Sequence, residues 1–332
     1  MDKIELRKEE ISFTKEVKEE ITVRKKENDD LVKALLSSYI KINGNLIVRN
    51  NKWIISIKTE NKKTARLIYG EIKRLYPVYC KIIVTEKKKL RINEENKIIV
   101  IEISDDARTV LNDLHIYSIE EGFRALPPTK WLSDVEMKKA YITGAFLASG
   151  SVNSPITKNY HLEIAVGDLS FAEFLLRQWK KFSLEGKITK RRAQYVVYIK
   201  KCEQIADFLR ILNANKSLMR FEEIRIQRDQ YNSLTRIINC EVSNEQRAME
   251  VARDQIKKIK WFDSRLGIKS LELPLQELAN LRLKNEEATY SELATLYEEY
   301  YGRKISKSGI NHRMKKLMEI IDSYNRGDEK WV

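Results

Sequence analysis

The segment that most restricts what this chain can become is residues 141–150, YITGAFLASG, an apolar run in which Gly144, Ala145, Ala148 and Ser149 are all small. A helix of that texture lets its backbone press closely on another helix, so the segment reads as one half of a tightly packed pair. The other half is residues 31–42, LVKALLSSYIKI, small at Ala34, Ser37 and Ser38. This second segment ends in Asn43-Gly44, as the first ends in Ser149-Gly150, and each glycine reads as a helix stop of the usual kind.

The likeness continues past the two helices. After Gly44 the pattern gives strands at residues 45–48 and 53–58, an amphipathic helix at 62–75 and a third strand at 80–85. A basic stretch follows (Lys87, Lys88, Lys89, Arg91), then a fourth strand at 98–103 and a helix at 105–114. After Gly150 the order repeats: strands near 151 and at 160–166, a helix at 169–182, a strand at 187–189, the basic cluster Lys190, Arg191 and Arg192, a strand at 195–200 and a helix to 212. Gly44 and Gly150 lie 106 residues apart, as do Cys80-Lys81-Ile82 and Gly186-Lys187-Ile188. Two copies of an αββαββα unit explain this most economically. Ahead of them, residues 12–21 form a short helix with Phe13, Val17 and Ile21 on one face and Ser12 as its N-cap.

Charge narrows the function. The net charge is +14, which attracts polyanions, nucleic acid first among them. Residues 216–332 hold 22 Lys and Arg against 19 Asp and Glu, whereas the first 215 hold 40 against 29, so the stronger positive field belongs to the duplicated part. Cys80, Cys202 and Cys240 are odd in number and form no Cys-x-x-Cys pair, which points to reduced thiols in the cytoplasm. With only His115, His161 and His312 besides, no metal or cofactor site is expected. The amino terminus is charged from the start and the apolar runs are short, so neither secretion nor a membrane span is expected. Nothing in the sequence marks a small-molecule substrate.

Residues 215–270 read as a helical connector, with a long helical pattern at 245–262. Beyond it, Pro274 opens LPLQELANLRL, whose Leu275, Leu278, Ala279 and Leu283 share a face. Residues 290–300 form a second helix, with Leu293, Ala294 and Leu296 inside, stopped by Gly302. A third, capped by Ser306, runs to Leu317 with Ile310, Met314 and Leu317 inward. Between 303 and 316 there are six basic residues and no acid. The last two helices have a helix-turn-helix arrangement, spanning about residues 289–322. Lys307, Ser308, Asn311 and His312 are the candidates for base edges. Arg313, Lys315 and Lys316 are candidates for phosphates, Arg303, Lys304 and Ser306 are further DNA-binding candidates, and the hairpin residues Lys87, Lys88, Lys89, Arg91, Lys190, Arg191 and Arg192 are candidates for backbone contacts.

A helix ending in Gly followed by ββαββα, used twice, resembles the LAGLIDADG homing-endonuclease fold. GAFLASGSVNSP followed by YHLEI, together with KSGINHRMKKL near the carboxyl end, resembles more specifically the WhiA family of bacterial regulators over essentially the whole chain. The resemblance implies an α+β protein with a duplicated LAGLIDADG-like module of two motif helices and two curved antiparallel sheets, followed by an all-α helix-turn-helix domain. The corresponding divisions are 1–125, 126–214, a linker 215–270 and 271–332. In the nucleases the metal-binding acid precedes the motif's final glycine. Here those positions are Asn43 and Ser149, which cannot neutralise a divalent cation, although Glu163 or Asp168 could substitute in an unusual geometry. The expected function is therefore non-enzymatic, binding double-stranded DNA, and the resemblance implies a regulator of cell division, chromosome organisation or sporulation that associates with the nucleoid. An active site-specific endonuclease is the alternative. A third possibility is that the duplicated module docks a protein.

Overall fold

The computed structural model describes residues 12–23, 28–86 and 97–328, and the basic stretch Lys87, Lys88, Lys89 and Arg91 lies outside them. The chain divides into two units, residues 1–228 and 229–332. In the first, α1 (Phe13–Val23) precedes two similar runs of elements. One comprises α2 (Asp29–Asn43), β1 (Gly44–Arg49), β2 (Lys52–Thr59), α3 (Lys62–Leu75), β3 (Cys80–Glu86), β4 (Lys97–Ile103) and α4 (Ala107–Asp113). A two-rung hairpin, β5 (Tyr117–Ser118) and β6 (Gly122–Phe123), is an addition that the periodicity did not reveal. The other run comprises α5 (Val135–Ser149), β7 (Gly150–Val152), β8 (Leu162–Val166), α6 (Leu169–Lys180), β9 (Lys187–Arg191), β10 (Gln194–Ile199) and α7 (Cys202–Ile211).

The two sheets have the same topology, β1-β2-β4-β3 and β7-β8-β10-β9, with every pair antiparallel. Local chemistry fixes the boundaries. Asn28, Asn61, Asp134 and Asp168 accept backbone N–H groups at the starts of α2, α3, α5 and α6. Asn50 and Asn51 turn β1 into β2 with φ of 50° and 59°, the left-handed pair a two-residue hairpin needs. Lys190 and Arg191, expected in the connection, extend β9 instead, and Arg192 makes the turn at φ 56°.

Helices α2 and α5 pack along each other at the centre of the unit. Both glycines that end them differ from expectation: Gly44 and Gly150 sit in extended backbone, at φ −81° and −68°, rather than in a left-handed cap. Glycine is required there because a Cβ would fall 2.5 Å from the Ile40 carbonyl oxygen at Gly44 and 2.6 Å from that of Phe146 at Gly150. Each helix thus passes directly into a strand of its own sheet. The inward faces of both sheets, including Ile55, Ile57, Ile101, Ile103, Ile164 and Val197, join the two helices in one core.

The connector is helical over a longer stretch than the pattern expected at 245–262. Asn215–Arg265 is a single 51-residue helix, α8, that starts in the first unit. It contains neither Pro nor Gly, and its turns over residues 236–251 are exposed on all sides, so no buried stripe marked the helix in the sequence. Its last turns, with Ile259 and Phe262, enter a separate core with α9 (Leu273–Lys284), α10 (Tyr290–Tyr301) and α11 (Lys307–Asp328). Helix α11 outlasts its expected end at Leu317 because Ile321, one turn further on, is also buried. Arg282 is 2% exposed, donates to the Ala288 carbonyl and lies over the Tyr290 ring, fixing the α9–α10 connection. Among the described residues no helix is long and apolar enough to cross a membrane.

Candidate nucleic-acid interface

Two helix signals build the corner between α10 and α11. At the start of α10, Thr289 Oγ1 accepts from Glu292 N at 3.3 Å and Thr289 N donates to Glu292 Oε2 at 2.7 Å, a complete capping box. The Thr289 backbone N–H, and after it the Thr289 hydroxyl, hold the Glu292 carboxyl below its ordinary pKa. Gly302, with φ 62°, ends α10. Ile305 packs on the core, and Ser306 Oγ accepts Gly309 N at 3.1 Å to start α11.

With Ile310, Met314 and Leu317 inward, the helical period puts Lys307, Ser308, Asn311 and Lys315 on one exposed face, with His312 at its edge. Lys304, Lys307, Asn311 and His312 have no side-chain partner among the described residues, while Ser308 Oγ lies 2.8 Å from Ser306 Oγ. This face offers ammonium, amide, hydroxyl and imidazole groups with no acid in the first turns of the helix.

The other basic candidates of this unit meet partners within it. The Arg303 guanidinium pairs with Glu277, and Tyr297 donates its hydroxyl hydrogen to the same carboxylate. Arg313 Nη1 donates to Tyr297 Oη at 2.9 Å and its guanidinium lies over that ring. Lys316 meets Glu272 at 3.0 Å and Lys315 meets Glu319 at 4.0 Å, both on the surface where such pairs exchange readily with other anions. Glu277 and Tyr297 escaped the sequence-based reading. The one signal for them was an acid and a phenol set among the leucines of α9 and α10, and both are buried.

In the first unit, strand register sorts the second basic hairpin by face. Lys187 and Arg191 stand on the open face of the β7–β10 sheet with Glu163 and Tyr198, whereas Lys190 pairs with Tyr195 on the core-side face. Glu163 is itself engaged, by His161 Nε2 at 2.8 Å and Arg191 Nη1 at 3.6 Å. The corresponding face of the other sheet is mixed: Ile47 stands opposite Ile54 and Ile83 opposite Val100, with Asn45, Ser56, Lys58, Lys81 and Glu102 among them, and Ile54 and Val100 are buried. The connector arginines also have internal partners. Arg225 pairs with Glu222 and Glu203, and Arg228 Nη1 donates to the Pro155 and Thr157 carbonyls, both at 2.7 Å.

Asn43 and Ser149 close the two central helices. Asn43 Nδ2 donates across the pair to the Ala148 carbonyl at 3.1 Å, and Ser149 Oγ donates to the Ala165 carbonyl of β8 at 2.6 Å. Asp168 caps α6. No group of three or more His, Cys, Asp or Glu that could hold a metal ion comes together among the described residues.

Two LAGLIDADG-like repeats followed by a helix-turn-helix domain define the class of protein to which this fold belongs. Family models agree: the WhiA N-terminal LAGLIDADG-like domain matches residues 29–117, the WhiA LAGLIDADG-like domain 138–231 and the WhiA C-terminal HTH domain 234–321. The "Probable cell division protein WhiA" of Lysinibacillus sphaericus (strain C3-41) is 36% identical over 319 residues, 96% of this chain and 99% of that one. That of Staphylococcus aureus (strain NCTC 8325 / PS 47) is 37% identical over 320 residues, with the same coverage. The crystal structure of full-length DUF199/WhiA from Thermatoga maritima shares the fold, with a TM-score of 0.58 and 23% identity over 94% of this chain and 99% of that one. The chain belongs to the WhiA family.

Proposed function

We propose that this protein is a sequence-specific, non-enzymatic DNA-binding regulator whose helix α11 reads double-stranded DNA. The observation that carries this is the exposed, acid-free face of Lys307, Ser308 and Asn311 at the start of a capped helix in a helix-turn-helix corner. Asn311 suits adenine and Lys307 guanine, while Lys304, Lys315 and Lys316 suit phosphates. The relatives' name, cell division protein, supports a role in cell division, with chromosome organisation or sporulation control as related processes in a cytoplasmic, nucleoid-associated protein. The duplicated module serves as a scaffold without phosphodiester chemistry, since Asn43 and Ser149 spend their side chains on helix and strand carbonyls.

Alanine at Lys307 and Asn311 should each weaken binding to the preferred duplex by about 1–3 kcal/mol and relax base preference there, as competition binding would read. Unchanged affinity and preference in both variants would exclude α11 as the reading helix. With about three phosphate contacts, log affinity should fall against log salt with a slope of roughly −3. Magnesium or manganese should give no cleavage of the bound duplex; turnover abolished by Asn43→Ala or Ser149→Ala would overturn the non-enzymatic part.

A further inference from the structure

One acid interrupts the apolar face of α9. Glu277 stands between Leu275 and Leu278 and is only 8% exposed. A carboxylate carried into a core is costly unless donors satisfy both of its oxygens, and here they do. The Tyr297 hydroxyl of α10 donates to Oε2, and the Arg303 guanidinium donates to Oε1. Tyr297 has given its only hydroxyl hydrogen to Glu277, so its oxygen is left as an acceptor, and Arg313 Nη1 of α11 donates to it at 2.9 Å. The order of donation is therefore fixed, from guanidinium to phenol and from phenol to carboxylate. Both guanidinium groups also lie over the Tyr297 ring, Arg303 at 5.9 Å and Arg313 at 5.2 Å from its centre. Tyr301 Oη adds a bond to the Glu277 carbonyl at 3.2 Å. A single acid thus gathers α9, α10, α11 and the turn that joins the last two.

The inward side of α11 is held by apolar contacts of Ile310, Met314 and Leu317. Apolar burial is non-directional, whereas a hydrogen bond has a preferred line, so the chain of bonds through Arg313 restrains the rotation of α11 about its own axis. Two further polar ties, Lys316 to Glu272 and Lys258 to Asp322, lie further along the helix. We propose that Glu277 is a positioning residue for base reading: through Tyr297 and Arg313 it sets the rotation of α11, and it withholds Arg303 from the phosphate backbone. The inference rests on the DNA-reading function proposed above for α11. The Arg303 side chain is 53% exposed, so loss of the carboxylate charge frees its guanidinium to reach a phosphate. Glu277 in this way lowers non-specific attraction and raises base preference.

Two substitutions separate these effects. Glu277→Gln keeps the size of the side chain and removes its charge, and Tyr297→Phe keeps every charge and the ring while removing the link to Arg313. Competition binding of the full chain across a salt series compares the duplex that the wild type selects from a random pool with a scrambled duplex of equal length. Each variant should lower the ratio of selected to scrambled affinity about tenfold. In Glu277→Gln the salt slope on the scrambled duplex should steepen by about one as Arg303 takes a phosphate, and in Tyr297→Phe it should keep the wild-type value. A purely structural part would lower both affinities together, with the folded fraction, and move neither ratio nor slope. Circular dichroism melting checks folding, and Tyr297→Phe decides alone if Glu277→Gln does not fold. A wild-type ratio in the folded variants, or an equal loss on both duplexes, overturns the inference and leaves α11 as the reading helix. A wild-type chain without preference between the duplexes removes instead the reading function itself.

Discussion

At Gly144 the absence of a side chain sets how closely the central helices approach. A Cβ there would fall 2.1 Å from the Leu35 carbonyl oxygen and 2.2 Å from Ser38 Oγ, and the first of these is backbone, which cannot swing aside. Gly144→Ala should therefore force the pair apart and destabilise the first unit by about 1–3 kcal/mol, despite alanine's better helix propensity. Thermal unfolding followed by circular dichroism measures this, and an unchanged or raised melting temperature would refute the tight contact. The small residues of 141–150 announced the contact because close approach demands small side chains wherever it occurs. Arg303 and Arg313 were less legible. Sequence gives their charge, but not the buried Glu277 and Tyr297 that turn them inward.

Among elements, the corner between α10 and α11 depends on local bonds that its sequence already specifies. Thr289 and Glu292 stand at the spacing of a capping box and form one, and Ser306 caps α11 as its position implied. Thr289→Ala should cost about 1 kcal/mol. In a unit of this size that lowers the melting temperature by about 4–8 °C, as calorimetry of the full chain would record for the second unit's transition. No change there would mean that packing of Leu293 and Tyr297, rather than the cap, fixes where α10 begins. Helix α8 was less legible than these short helices, because amphipathic period is visible only where a helix has a core to face. Its exposed middle turns have none.

For the whole molecule, the two buried cores share no residue: one runs from Phe13 to Phe221 and the other from Ile259 to Ile321. Calorimetry of the full chain should resolve two unfolding transitions, and Gly144→Ala should shift only one of them. A single cooperative transition moved as a whole by that substitution would show that the units unfold together.

The repeat offset, the paired small-residue helices and the acid-free stretch from Arg303 to Lys316 were set by sequence alone, since each depends on spacing, side-chain size or charge along the chain. Tertiary structure decided which cations remain exposed for a ligand and which face partners inside the protein. It also brought Glu277, Tyr297 and Arg313, from three different helices, into one hydrogen-bonded chain. Burial and partnership depend on what packs across from a side chain, and packing between distant segments leaves no local pattern to read.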